Sequence, residues 1–133
     1  MFVDASVLLA ILLHEPEADA FAAEIQTAAR SCTSALAVFE ALSALMSRKH
    51  LPRAVAEEEI HALLADGAIE VVAITQQIGH LAIDAFDRYG KGRGHPAQLN
   101  MGDCFAYACA KAHGLRLLYK GNDFSQTDLA RSP

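Results

Sequence analysis

The chain has 133 residues, of which 53% are hydrophobic, and a formal net charge of −5. This length and composition suffice for one compact domain with its own core, so residues 1–133 are predicted to form a single domain, and neither a secretory signal nor a membrane span is expected. The three cysteines include no Cys-x-x-Cys pair, which argues against a disulfide framework and a zinc site and favours a reduced, cytoplasmic location.

Short β-type runs alternate with longer helical runs along the chain. Predicted strands cover 2–3, 32–34, 70–74 and 116–119, and predicted helices cover 6–14, 17–29, 36–50, 52–67, a segment that begins after the cap Thr75, and 102–113. Pro52 suits the first turn of its helix, and residues 90–100, with three glycines and a proline, are predicted to form a loop. Because helices separate the strands, the predicted fold is a three-layer α/β domain with a short parallel sheet flanked by helices.

Four carboxylates stand where an acidic side chain is locally out of place. Asp4 lies between two apolar runs, and Glu40 lies in a helix where its neighbours are apolar residues or serine. Asp103 opens another apolar helix, and Asp123 follows the last strand. Carboxylates are almost never buried without a partner, and a divalent cation can accept several at once. We therefore interpret the chain as a metal-dependent enzyme, with these four acids as candidate ligands.

The predicted fold brings three of these acids towards one edge of the sheet. In an open parallel sheet the ligand crevice lies beyond the carboxyl ends of the strands, where Asp4 and Asp123 are predicted to lie. Asp103 occupies the first turn of a helix that points to the same edge. Each acid also has an alternative role: Asp4 as an N-cap, Asp103 as a partner of the helix dipole, Asp123 in a turn, and Glu40 on an exposed helix face.

Four stretches carry the most specific motifs: Asp4-Ala5-Ser6, Phe39-Glu40-Ala41-Leu42, residues 99–108, and residues 120–124 followed by Thr127-Asp128. In content and order they resemble a PIN-domain ribonuclease, and most closely the VapC-type toxins of bacterial toxin–antitoxin pairs. The resemblance implies that Asp4, Glu40, Asp103 and Asp123 bind metal, that Ser6 and Asn122 are the polar groups beside them, and that Asp128 lies at the edge of the site.

The resemblance also implies a reaction and partners. A Mg²⁺ or Mn²⁺ ion would activate water for hydrolysis of an RNA phosphodiester bond. The expected partners are the RNA substrate, a cognate antitoxin with a basic tail and a second copy of the chain. An apolar surface formed by Leu8, Leu12, Phe21 and Ile25 is the candidate antitoxin contact, although core packing also explains these side chains.

The net charge of −5 opposes nucleic-acid binding, but one divalent ion changes it to −3 and two change it to −1. Six of the eleven Lys and Arg residues fall in two clusters, which are Arg48, Lys49 and Arg53 with His50, and Arg88, Lys91 and Arg93 with His95. Lys91 and Arg93, in a glycine-rich loop, are the candidate RNA-backbone contacts. Solvated helix ends would explain the same clusters.

Two other functions remain open from the residues. A phosphoryl-transfer enzyme could use Asp4 as a nucleophile and Mg²⁺, although such an enzyme usually has a second aspartate where this chain has Ser6. A non-catalytic binding module of the same fold is also possible, although the full set of four acids argues against it.

Overall fold

The computed structural model describes residues 1–130, which form a parallel β-sheet covered by helices. The strands are β1 (Phe2–Val3), β2 (Ser31–Ser34), β3 (Ile69–Val72) and β4 (Leu117–Leu118), and the helices are α1 (Ala5–Leu12), α2 (Ala18–Thr27), α3 (Ala35–Lys49), α4 (Arg53–Asp66), α5 (Gln76–Tyr89) and α6 (Met101–Ala112). Every predicted element is present, with its ends within two residues of the prediction. None of the helices in residues 1–130 is long and apolar enough to cross a bilayer.

The strand order of the sheet determines where a crevice can form. The order is β3-β2-β1-β4, and all the pairs are parallel. Phe2 is in register with Cys32 on one side and with Leu117 on the other. The chain therefore builds the sheet outward from β1 in one direction and then returns to add β4 on the opposite side. Such a reversal opens a crevice beyond the carboxyl ends of the strands, which here means beyond β1 and β4.

The core beneath this crevice is made of large apolar side chains from the sheet and helices. Phe2, Leu8, Leu45, Ile60, Leu99 and Phe124 are among the largest side chains that are fully buried. Phe124 belongs to the segment after β4, and its ring packs at a centroid distance of 5.0 Å from that of Tyr119. Burying a phenylalanine side chain contributes about 1.5–3 kcal/mol. This contact anchors the segment that carries Asp123.

Side-chain caps begin several of the helices at the expected positions. Ser34 accepts a hydrogen bond from the Ala37 N–H at the start of α3, and Thr75 accepts one from the Ile78 N–H at the start of α5. Pro52 differs from the prediction, since it is the N-cap of α4 and not part of its first turn; its ψ of 147° is extended, so the helix begins one residue later. The predicted loop 90–100 is present, and Gly90 and Leu99 form a bridge between its two ends.

The predicted apolar docking surface on α1 and α2 is wrong for three of its four residues. Leu8 is 0% exposed, Phe21 5% and Ile25 4%, so these side chains belong to the core. The helices α1 and α2 pack against each other, and α1 also packs against α3. The apolar faces of α1 and α2 therefore contact other parts of the same domain. Leu12 remains half-buried.

Candidate functional site

Asp4 lies directly after β1 and caps α1. Its Oδ2 atom accepts hydrogen bonds from the Ser6 N–H at 3.1 Å and from the Ser6 hydroxyl at 2.6 Å. The residue is 6% exposed. Burial raises the pKa of Asp4, the Ser6 hydrogen bonds oppose that rise, and the negative charge of Asp123 adds to it. Asp4 therefore fills the capping role and also occupies the predicted edge of the sheet.

Ser6 connects the segment after β1 to the segment after β4. While its hydroxyl donates to Asp4, the same oxygen accepts a hydrogen bond from the Lys120 N–H at 3.0 Å. A hydroxyl has one proton to donate and lone pairs to accept with, so both bonds form together. Ser6 thereby holds the carboxylate of Asp4 in one orientation and ties it to the segment after β4.

Asp103 is held in the first turn of α6 by a capping box. The Asn100 side chain accepts from the Asp103 N–H at 2.8 Å, and the Asp103 carboxylate accepts from the Asn100 N–H at 3.0 Å. Burial raises the pKa of Asp103 to about 7; the Asn100 N–H opposes the rise, and the charges of Asp123, Asp4 and Glu40 add to it. The role of Asn100 is not among the sequence predictions, although its Asn-x-x-Asp spacing is a variant of the capping box and indicates it.

Glu40 lies in the second turn of α3 and is half-buried. Its carboxylate is directed at Gly102 in α6, so closely that a Cβ atom built on Gly102 would lie 2.3 Å from Oε2. Burial and the charge of Asp4 raise the pKa of Glu40 to about 7. Glu40 is therefore enclosed between two helices, and the alternative of an exposed helix face is wrong.

Asp123 is exposed in the turn that follows β4, next to the exposed Asn122. Gly121 turns the chain with a φ of +94°, and Ser125 donates its N–H and its hydroxyl to the Asn122 carbonyl oxygen. The predicted turn is therefore present. The charge of Asp123 nonetheless raises the pKa of both Asp4 and Asp103, so its carboxylate lies close enough to act on both.

The structure thus gathers four acids from separate segments into one electrostatic group. No salt bridge within 4.0 Å reaches any of them from a cation in residues 1–130. As the side chains stand, those residues also contain no group of three or more His, Cys, Asp or Glu with the geometry to hold an ion. The acids are neighbours and not a closed coordination shell. Their all-oxygen donor set suits a hard divalent cation such as Mg²⁺ or Mn²⁺.

Asp128 belongs to a different network. It accepts hydrogen bonds from the Tyr107 hydroxyl at 2.7 Å and from the Lys111 ammonium group at 2.6 Å, with the Tyr89 hydroxyl at 3.4 Å. Burial would raise the pKa of Asp128, but the hydrogen bonds from Lys111 and Tyr107 outweigh it and lower the pKa. These contacts tie the C-terminal segment to α5 and α6, and they account for Asp128 without a role at the edge of the site.

The basic residues have contacts of their own. Lys91 lines an apolar groove of about 480 Å³ between α5 and α6. Arg93 donates to Asp87 at 2.6 Å, and its guanidinium carbon lies 5.8 Å from the Phe86 ring centroid. In the first cluster, Arg53 pairs with Glu57 at 2.9 Å. Arg93 and Arg53 are therefore partly neutralised by neighbouring carboxylates.

Comparison with known proteins identifies a matching family and solved structures that share this fold. The family model described as PIN domain matches residues 1–129. Mycobacterium tuberculosis VapC20, a Sarcin-Ricin loop cleaving toxin, aligns with a TM-score of 0.71 at 19% identity and covers 93% of this chain and 92% of its own. A toxin–antitoxin complex from Klebsiella pneumoniae aligns with a TM-score of 0.70 at 17% identity, over 98% of this chain and 95% of the other. At these identities the two structures show a shared fold.

Similarity in sequence is much closer to curated relatives. A VapC ribonuclease of Rhizobium meliloti is 43% identical, in an alignment that covers 96% of this chain and 98% of the relative. Ribonuclease VapC42 of Mycobacterium tuberculosis is 36% identical over 97% of this chain and 96% of its own length. The chain therefore belongs to the PIN-domain family and, within that family, to the VapC ribonucleases.

Proposed function

We propose that this protein is a metal-dependent endoribonuclease, the toxin of a bacterial toxin–antitoxin pair, which hydrolyses RNA phosphodiester bonds with metal-activated water. Its membership of the VapC ribonucleases supports the reaction class. The observation that carries the proposal is the mutual effect of four carboxylates, of which Asp4 and Asp103 are buried and have no salt bridge within 4.0 Å to a cation in the described chain. We propose residues 1–133 as one nuclease domain that acts in the cytoplasm.

The proposed metal is Mg²⁺, with Mn²⁺ as a substitute. Metal dependence is general among PIN-domain ribonucleases, and the carboxylate oxygens here are the ligands that these hard cations prefer. Asp4 and Asp103 would hold the principal ion, with Glu40 and Asp123 completing the set. When bound, the ion would make water more acidic and offset the negative charge of the transition state.

The protein's own groups then have distinct tasks. Ser6 and Asn100 orient the two buried carboxylates through the hydrogen bonds described above, as neighbours of metal ligands commonly do. Glu40 is the candidate acceptor of the proton from the attacking water, because its carboxylate lies against the first turn of α6, which carries Asp103. Asn122 is exposed beside Asp123, where its amide can meet a substrate phosphate.

Lys91 and Arg93 are the proposed contacts to the RNA backbone. Both are exposed in the loop before α6, whose first turn carries Asp103. Arg93 must share its charge between RNA and Asp87, since the two side chains form an ion pair of 2.6 Å. We therefore expect Lys91 to contribute the larger share of the phosphate contact.

We also propose two protein partners. The cognate antitoxin would cover the acids with a basic segment, since the net charge of −5 and the four clustered carboxylates attract one. A second copy of the chain would cover the exposed apolar residues Ile83 and Met101 between α5 and α6, which are 64% and 67% exposed. Replacing Ile83 with aspartate should give monomers in light scattering; dimers of unchanged stability would place the interface elsewhere.

The decisive experiment is incubation of the purified protein with total cellular RNA and Mg²⁺, followed by mapping of the new ends. Discrete internal cleavage sites that disappear in EDTA would support the proposal and also identify the target. A protein with Asp4 and Asp103 both changed to asparagine controls for a contaminating nuclease. Cleavage that is equal in EDTA, or equal with the double variant, would contradict the proposal.

A further inference from the structure

Gly102 lies between two of the candidate acids. It precedes Asp103 in the first turn of α6, and it faces the side chain of Glu40 from α3. A Cβ atom built on Gly102 would lie 2.3 Å from Oε2, 2.5 Å from Oε1 and 2.6 Å from Cδ of Glu40. Real Cβ atoms essentially never approach other atoms below 3.0 Å. The carboxylate of Glu40 therefore occupies the space that any side chain at position 102 would need.

The backbone does not explain this glycine. The positive-φ glycines of the described chain are at positions 92, 94, 114 and 121, and Gly102 has helical geometry that an alanine adopts more readily. Glycine in a helix costs about 1 kcal/mol relative to alanine. Gly79, a glycine in α5, has no atom within 4 Å of its Cβ position, and Gly90 is crowded only by Phe86 of the preceding helical turn, whereas Gly102 is crowded by a carboxylate from another helix.

Several small residues near Glu40 and Gly102 in the sequence are buried. Ala37 and Ala41, on either side of Glu40 in α3, are 3% and 1% exposed, and Ala106, one turn after Gly102 in α6, is 3% exposed. The two helices pack against each other. Glu40 is the long, polar side chain at this contact, and its carboxylate reaches the N-terminal turn of α6, where the helix dipole favours a negative charge.

We propose that Gly102 is a positioning residue: by having no side chain, it leaves the space in which the Glu40 carboxylate lies beside Asp103. This inference rests on the proposed function, because metal binding and proton transfer would need Glu40 and Asp103 to lie side by side. A methyl group at position 102 would displace the Glu40 carboxylate from this space without changing any of the four acids.

A double-mutant cycle tests this, with Gly102→Ala made in the wild type and in Glu40→Ala. Two quantities are measured: the affinity for Mn²⁺ by calorimetry, and the midpoint of thermal unfolding in EDTA. In the wild type, Gly102→Ala should weaken Mn²⁺ binding about 10–100-fold, as is typical when a ligand loses its support. In Glu40→Ala the space is empty, so Gly102→Ala should leave Mn²⁺ affinity unchanged and raise the unfolding midpoint, because alanine has a higher helix propensity than glycine.

A third background, Glu40→Asp, tests whether a shorter side chain removes the effect of Gly102→Ala. Glu40→Asp shortens the side chain by one methylene and withdraws the carboxylate from Gly102, so adding Gly102→Ala to it should cause little further loss of Mn²⁺ affinity. Equal losses of affinity in all backgrounds would mean that the substitution acts on α6 itself and would overturn the proposal, as would the absence of any loss in the wild type. If Glu40→Ala abolishes Mn²⁺ binding, the unfolding midpoints decide: the effect of Gly102→Ala must be more favourable in Glu40→Ala than in the wild type.

The proposed function and the role of Gly102 can be disproved separately. A wild-type protein that neither binds Mn²⁺ nor cleaves RNA would remove the proposed function. The metal-free unfolding midpoints would still report whether Gly102 and Glu40 compete for one space. Conversely, the wild type could show metal-dependent cleavage while the effects of Gly102→Ala and Glu40→Ala on the unfolding midpoint and on Mn²⁺ affinity are additive. That result would support the proposed function and contradict the role of Gly102.

Discussion

Replacing Asp103 with asparagine should stabilise the metal-free protein while abolishing RNA cleavage. Burial, together with the neighbouring acids, raises the pKa of Asp103 from 3.8 to about 7. Above pH 7 its charged form therefore costs the folded state on the order of 4 kcal/mol relative to the unfolded chain. Asparagine removes the charge and keeps an oxygen for the Asn100 N–H, with a loss of about 1 kcal/mol for the weaker hydrogen bond. The expected net gain is about 1–3 kcal/mol at pH 8, since part of the cost is shared with the other acids.

The direction of the pH dependence distinguishes this explanation from a general gain in stability. The pKa of Asp103 is higher in the folded state than in the unfolded state, so the folded protein binds the extra proton between about pH 4 and pH 7. The contribution of this carboxyl group to stability therefore falls as the pH rises through that window and is constant above it. The advantage of the asparagine variant should be largest at pH 8 and should shrink at pH 5.

The assay is urea unfolding in EDTA at both pH values, alongside RNA cleavage in Mg²⁺. Asp19→Asn is the matched control, because Asp19 is also in the first turn of a helix but is exposed. It should lose about 0.3–1 kcal/mol through the helix dipole and keep full activity. If Asp103→Asn were less stable than the wild type at pH 8 and still cleaved RNA, the carboxylate would serve only as a cap and the site would be misassigned.

Three further predictions concern the ion, the RNA and the orientation of Asp4. RNA cleavage should require Mg²⁺ or Mn²⁺, whereas Ca²⁺ should bind and support little turnover because its coordination is looser; comparable rates in Ca²⁺ would contradict this mechanism. Lys91→Ala should reduce the salt dependence of RNA binding by about one phosphate contact. Arg93→Ala should have a smaller effect, because Asp87 already offsets the charge of Arg93. Equal effects of the two substitutions in filter binding would show that the Arg93–Asp87 ion pair opens in the complex. Ser6→Ala should weaken Mn²⁺ binding about 10–100-fold, since Asp4 loses the hydroxyl that orients it; unchanged affinity in calorimetry would leave Ser6 with a purely structural role.

The elements of the fold could be predicted because local signals and global packing agree. Apolar periodicity and caps such as Thr75 locate the helices, and the alternation of strands with helices leads to a parallel sheet. The boundaries differ by one or two residues where a cap or a strand end depends on hydrogen bonds, as at Pro52. The strand order, with β4 returning beside β1, is a tertiary property that periodicity does not contain.

The candidate site was only partly predictable for a similar reason. The four acids are conspicuous in the sequence because Asp4, Glu40 and Asp103 stand among apolar residues and Asp123 follows the last strand. The crowding at Gly102 is invisible there, since it arises from the approach of α3 to α6. The misplaced docking surface at Leu8, Phe21 and Ile25 has the opposite cause: amphipathic helices look alike whether their apolar face meets a partner or the protein's own core.

The hydrogen bond between the Ser6 hydroxyl and the Lys120 N–H determines when the proposed site can form during synthesis of the chain. The two residues are 114 positions apart, and β4, which precedes Lys120, pairs directly with β1. During synthesis from the N-terminus, Asp4 cannot reach its final surroundings until the last strand and the Asp123 turn have left the ribosome. A chain that has not yet been completed therefore lacks both the support and the fourth acid of the proposed site. Assembly of the proposed site therefore has to wait until β4 and the segment after it have been synthesised and have paired with β1.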